Sequence, residues 1–234
     1  MTRIRVRDVR RRKLGWFRRS EIQIVKRLIF SSITVLILAF LIRNWHGNQE
    51  SFLVQNNSNQ LPPLAMRGGD PYIRALMRTI SASESNVSKP YSVIYGGEVV
   101  LDLSRHPDLC VKIVSGPNRG RCTTAAGRYQ FLSSTWEEKA KRYHPHPSQF
   151  IFWKEYSFEP KFQDAVVYAW LSDTKFWKAD ISALLQQGKF NKVQRLLSGT
   201  WTSLGYGIED NSMTGELPKI YQEILQEELG KNDS

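Results

Sequence analysis

Glu84 stands four positions beyond Ile80, in a run where Ile73, Leu76, Met77 and Ile80 recur at helical spacing. It therefore falls on the apolar face of a helix, at its last turn. A carboxylate there loses solvation, which favours its protonated form, and the negative end of the helix pushes the same way. Both effects suit a general acid. The competing reading is a solvated glutamate on a fraying helix end. Asp102 is the candidate second carboxylate. It closes an alternating run that Glu98 opens, and an acid there could face Glu84 across a sugar in a two-carboxylate scheme. Turn formation is the other role open to it.

Cys110 and Cys122 flank the turn sequence GPNRG. In an oxidising compartment they could bridge paired strands; otherwise they are two buried thiols. Two cysteines without CxxC spacing do not suggest zinc. His144-Pro145-His146 has no helical ligand spacing and reads as a solvent-exposed loop. A phosphate-cradling glycine loop and a Ser or Cys nucleophile motif are both lacking. No metal and no cofactor is expected.

The elements that must position these residues can be traced along the chain. Asp70 is a good helix N-cap and Pro71 suits the first helical position. YSVIY (91–95), Gly96-Gly97 and EVVLD (98–102) read as a β-hairpin. LCVKIVS (109–115), GPNRG and RCTTA (121–125) read as a second. The pattern then turns helical. Thr135 and Glu138 match a capping box. Pro160 opens a run with Phe162, Val166 and Ala169 on one face. Asp180 and Gly188 bracket a short helix, Gly199 ends another, and Leu217, Ile220, Ile224 and Leu225 pattern the last. The fold class is α+β, mostly helical with a small antiparallel hairpin region.

Charge is distributed unevenly over the 234 residues and their net +11. Residues 1–27 carry 11 Lys/Arg and two acids, while residues 28–234 are close to neutral. A nucleic-acid-binding domain would carry its positive face on the folded part, so no nucleic acid is expected as a partner. The basic end precedes an uncharged run, Leu28 to Ile42, which as a helix spans roughly 22 Å against a hydrocarbon core of about 30 Å. Lys26, Arg27 and Arg43 can snorkel to the interfaces. No small-x-small cleavage site follows, so the run reads as an uncleaved signal anchor. This organisation gives a basic cytoplasmic tail (1–27), a single transmembrane helix (28–43), a flexible linker (44–67) and a catalytic domain (68–230). The positive-inside bias makes it a single-pass plasma-membrane protein, with its N-terminus cytoplasmic and the domain periplasmic or otherwise extracytoplasmic.

Ser-Ala-Ser-Glu84-Ser-Asn, Tyr95-Gly-Gly-Glu98, Asp102, His106-Pro107 and Ala125-Ala-Gly-Arg-Tyr-Gln130, in that order, resemble the phage lambda endolysin family. The similarity runs from about residue 70 to 228. It implies a lysozyme-like fold and lytic transglycosylase activity on peptidoglycan glycan strands, with Glu84 as the catalytic acid. It also implies that the segment carrying Arg128, Tyr129 and Gln130 lines the sugar cleft. Trp201-Thr-Ser-Leu204-Gly-Tyr206-Gly207 matches a cleft-closing segment, and so makes Tyr206 a substrate contact. That segment is shorter here than in the family, which lacks the anchor and the two cysteines. A muramidase hydrolysing the same bond and a glycan-binding module without catalysis are the alternative activities.

Overall fold

The computed structural model describes residues 61–206 and 213–231, apart from 115, 117, 147, 151 and 152. The tail, the anchor and residues 44–60 of the expected linker lie outside the described residues. Among the described residues, no helix is long and apolar enough to cross a membrane.

The first helix, α1 (Pro71–Glu84), starts where the sequence places it. The Asp70 Oδ1 atom accepts the amides of Tyr72 and Ile73 at 2.8 and 3.0 Å, and Pro71 occupies the first turn. Ile73, Leu76, Met77 and Ile80 are each no more than 1% exposed. Full burial of such side chains contributes about 1.5–3 kcal/mol each. The helix packs most extensively against the last one, α7 (Leu217–Gly230), which buries Leu217, Tyr221, Ile224 and Leu225. Arg74 and Arg78 of α1 reach the buried Glu228 carboxylate of α7 at 2.6 and 2.9 Å.

The first expected hairpin is looser than a ladder. A 3-10 turn, Pro90–Ser92, replaces the start of its first strand, and pairing is reduced to the Val93–Val99 bridge. Gly96 and Gly97 turn the chain with φ of 89° and 93°, where a side chain would be strained. The second hairpin forms with short strands, β1 (Val111–Lys112) and β2 (Cys122–Thr123). Cys110 and Cys122 are disulfide-bonded across its base with Cα atoms 5.4 Å apart, which decides between the bridged and free-thiol readings. Closing so short a loop constrains the unfolded chain by about 3 kcal/mol. Reduction, or Cys110→Ser with Cys122→Ser, is expected to lower unfolding stability by that order in a denaturant titration. An unchanged midpoint would contradict it.

Three expectations shift in the helical half. The helix α2 (Ser133–Tyr143) begins before Thr135, so no capping box forms; the Ser133 amide instead donates to Thr124 Oγ1 at 3.0 Å, a cap from outside the helix. An antiparallel pair, β3 (Ser148–Phe150) and β4 (Trp153–Glu155), interrupts a stretch that reads as helical. The third shift concerns α3 (Pro160–Leu171), which buries Gln163, Asp164, Val166, Val167 and Trp170, while Phe162 and Ala169 are only half-buried. Its core stripe runs through two polar residues that periodicity assigns to solvent. Beyond it, α4 (Thr174–Trp177), α5 (Ile181–Gln186) and α6 (Phe190–Leu197) follow as short helices. Asp180 caps α5 through the Ala183 amide, and Gly188 ends it at φ 71°.

Residues 61–67, expected to be flexible linker, are built into the domain. Leu64 is buried. Arg78 donates to the Leu61 carbonyl at 2.9 Å, Arg128 to those of Pro62 and Pro63 at 2.6 and 2.8 Å, and Arg74 to that of Met66 at 3.2 Å. The Asp164 Oδ2 atom accepts the Ala65 and Met66 amides at 2.6 and 3.1 Å. An aperiodic segment has no partner for its own peptide groups, so side chains of α1, α3 and the 127–130 turn supply them.

Candidate active site

Glu84 closes α1, half-buried, where the chain turns out of the helix through Ser85. It lines a groove of about 210 Å³ together with Asn86, Val87, Tyr95, Gly96, Gly97 and Gln130 among others. The glycine turn of the first hairpin forms part of its lining. Glu84 is the sole carboxylate among the described lining residues, and Tyr95 is the other titratable side chain there.

The 127–130 segment is a tight turn. Ala126 and Phe131 exchange backbone hydrogen bonds at 3.0 and 2.8 Å, and the Gly127 amide donates to the Val93 carbonyl at 2.8 Å. Gly127 sits at φ 73°, and a Cβ there would collide with Gln163 and the Phe158 ring. The Ser85 hydroxyl donates to the Arg128 carbonyl at 2.7 Å, which ties this turn to the end of α1. Of the three residues in this turn expected to contact sugar, it delivers one. Gln130, in the left-handed region at φ 46°, faces the groove, and its side-chain amide donates to the Gly127 carbonyl at 2.9 Å.

Arg128 and Tyr129 are corrections to the sequence reading, because both point into the protein. Arg128 is fully buried, clamps residues 62 and 63, and donates to the Tyr91 hydroxyl at 2.9 Å. Tyr129 is 1% exposed and donates to Asp164 Oδ1 at 2.6 Å. The hydroxyl of Tyr91 donates to Asp164 Oδ2 at 2.7 Å. Burial pushes the Asp164 carboxyl up, while Arg128 and the two tyrosine hydroxyls pull it down. Burial and the same carboxylate hold both tyrosines in their neutral form. This set is a structural centre behind the groove.

Asp102 does not line the groove. It is exposed and accepts the Ser104 amide at 2.9 Å; the Ser104 hydroxyl and amide hold its carboxyl below the usual range. Its role here is turn formation. Tyr206 also lies outside the described groove lining. It is 55% exposed, with the Arg195 guanidinium 4.7 Å from its ring centre. The neighbouring Gly207 lies outside the described residues.

His106 and His144 are buried pins of the same design, and His144 is not in an exposed loop. In each, Nδ1 accepts the amide two residues on, at 3.1 Å. Nε2 then carries the proton and donates to the carbonyl of Phe131 at 2.8 Å or of Ser157 at 3.2 Å. Desolvation holds both rings below the ordinary histidine pKa. The unfolded chain therefore binds protons that the folded chain refuses. The stability these rings contribute is fully present above about pH 6.5 and is lost as pH falls below it. The melting temperature is expected to drop between about pH 7 and pH 5, with a shallower drop in His106→Gln/His144→Gln; equal slopes would contradict this.

Ser203 lies in the segment expected to close the cleft, but nothing in the sequence pairs it with Glu84. Ser203 sits in a 3-10 turn, Thr202–Leu204, between buried Trp201 and Leu204. Trp201 donates from its indole to the Tyr129 carbonyl at 3.2 Å, and Gln194 donates to the Leu204 carbonyl at 2.7 Å. The turn so held brings the Ser203 hydroxyl to Glu84 Oε1, to which it donates, and to within 3.0 Å of Ser83 Oγ. The place of Ser203 in the Trp201–Gly207 segment, next to buried Leu204, is the signal the sequence carries. Its partner lies 119 positions away.

A family model described as Endolysin matches residues 74–227. The endolysin of Escherichia phage lambda is 32% identical over 120 residues, covering 50% of this chain and 64% of that relative, a little under two thirds of its length. A solved structure of bacteriophage lambda lysozyme complexed with a chitohexasaccharide aligns with a TM-score of 0.50 at 26% identity, covering 68% of this chain and 97% of that one.

Proposed function

Because this chain belongs to the Endolysin family, we propose that it is a glycosidase acting on peptidoglycan. Within that class we propose a lytic transglycosylase that cuts the bond between N-acetylmuramic acid and N-acetylglucosamine. One observation carries this reading: a single glutamate, at the end of a buried helix, opens on a groove that no other carboxylate lines among the described residues. The lambda lysozyme structure with its chitohexasaccharide supports a glycan chain as the occupant of that groove.

One carboxyl group is enough for this chemistry. Glu84 in its acid form protonates the glycosidic oxygen, and the bond to C1 breaks. The resulting carboxylate takes the proton of the muramic acid 6-hydroxyl, whose oxygen closes on C1. The product is a 1,6-anhydro sugar, no water is consumed, and Glu84 regains its proton. The usual pair of carboxylates is not needed, and the exposed, turn-bound Asp102 fits that economy. Gln130 offers an amide for hydrogen bonding to the sugar, and Gly96-Gly97 leave room for its ring. Mass spectrometry of digested peptidoglycan is expected to show anhydromuramic products. Reducing-end muramic acid would assign the chain as a muramidase, and binding without any cleavage would make it a glycan-binding module.

The basic end and the uncharged run behind it support a plasma-membrane anchor, with the enzyme outside the membrane and acting on wall within its reach. In inverted vesicles the domain is expected to resist added protease. Digestion from the cytoplasmic side would refute that orientation.

A further inference from the structure

We propose that Ser203 is the positioning residue for Glu84: its hydroxyl fixes Oε1 and thereby makes Oε2 the oxygen that gives and takes the proton in the reaction. This rests on the glycosidase reading above. A serine hydroxyl has one proton and two acceptor lone pairs. The Ser203 hydroxyl reaches two acceptors, Glu84 Oε1 and Ser83 Oγ, and its one proton goes to the carboxyl group as the stronger acceptor, so Oε1 is engaged. The Ser83 hydroxyl, one residue before the glutamate, donates to the Ile80 carbonyl at 2.9 Å and stands 3.0 Å from Ser203 Oγ. It marks where the Ser203 oxygen must sit against the last turn of α1.

The same donor serves both states of the carboxyl. When Glu84 is protonated on Oε2, Oε1 accepts as a neutral carbonyl oxygen does. When Glu84 is ionised, the same bond becomes charge-assisted and stronger. The carboxylate at the end of α1 faces the negative end of the helix, and Ser203 supplies a donor from another element to offset it. No heavy atom has to move as the proton leaves and returns, which keeps the reacting oxygen in register with the sugar. Among the described residues around it, Tyr95 lines the groove, Arg128 is turned away onto residues 62 and 63, and residues 201–205 and 81–83 contain no ionisable side chain.

The test is the pH dependence of kcat/KM for wall cleavage by the full chain and its Ser203→Ala and Ser203→Thr variants. Ser203 favours the ionised form, so its loss raises the pH at which the acid is spent. Ser203→Ala is expected to cut the rate roughly ten- to hundredfold and to move the alkaline limb to higher pH. Ser203→Thr, which keeps the hydroxyl, is expected to return the limb to its original place. Thermal unfolding gives the folded fraction of each variant. A Ser203→Ala enzyme with an unmoved limb would overturn the proposal, whether its rate is unchanged or falls only with the folded fraction. If Glu84→Gln clears walls as well as the parent, the glycosidase reading itself fails. If Glu84→Gln is inactive and the Ser203→Ala limb stays put, only the positioning role is lost.

Discussion

Glu84→Gln yields a folded chain that no longer clears cell-wall suspensions, with a rate loss on the order of 10²–10⁴-fold. The amide matches the carboxyl in shape and still accepts the Ser203 hydroxyl at its oxygen. It has no proton to give and no base to take one back, so both halves of the reaction stop. Because the side chain is only half-buried, the unfolding midpoint should stay close to that of the parent. Turbidity clearing and a thermal melt, run on the same preparation, separate loss of chemistry from loss of fold. Undiminished clearing by a folded Glu84→Gln would remove Glu84 from the reaction.

The second large effect is on stability. Asp164→Asn is expected to lower the free energy of unfolding by roughly 3–5 kcal/mol. The carboxylate accepts from the amides of Ala65 and Met66 and from the hydroxyls of Tyr91 and Tyr129, and it offsets the buried charge of Arg128. An asparagine has one oxygen to offer. If that oxygen faces the two backbone amides, its NH₂ faces Tyr129, which can rotate to accept. The Arg128 guanidinium nevertheless stays buried without its counter-charge. Since a domain of this size is stable by only about 5–15 kcal/mol, such a loss is severe. Tyr129→Phe removes one hydrogen bond and is expected to cost about 1–3 kcal/mol. Denaturant titrations of the two variants measure both. A loss under about 1 kcal/mol in Asp164→Asn would mean that the network is not what holds residues 61–66.

Both predictions concern residues on helices, yet only one was legible as a functional residue. Glu84 could be placed at a helix end because Asp70, Pro71 and the Ile73–Ile80 stripe fix where α1 begins and which face it buries. Asp164 was invisible. Periodicity puts an acid at that position in water, and it is buried only because two tyrosines, an arginine and two backbone amides converge on it. Arg128 and Tyr129 are turned inward by the same convergence. Motif resemblance identified the turn to which they belong. It could not show that Gly127 backs onto Gln163 and Phe158, a packing that leaves Gln130 at the groove and sends Arg128 and Tyr129 inward.

By itself the sequence determined the Asp70 and Asp180 caps, the apolar face of α1, the short hairpin that the two cysteines flank and the place of Glu84. These depend on residues within about a turn of one another, or on the chain pairing with itself across a short loop. The tertiary structure decided which polar groups meet over long separations. It tied residues 61–67 to three arginines and Asp164, drew His144 inside, left Asp102 in solvent and brought Ser203 to Glu84 across 119 positions. A hydroxyl or a carboxylate looks the same in sequence whether water or a buried donor satisfies it. Only the packing of the elements around it determines which.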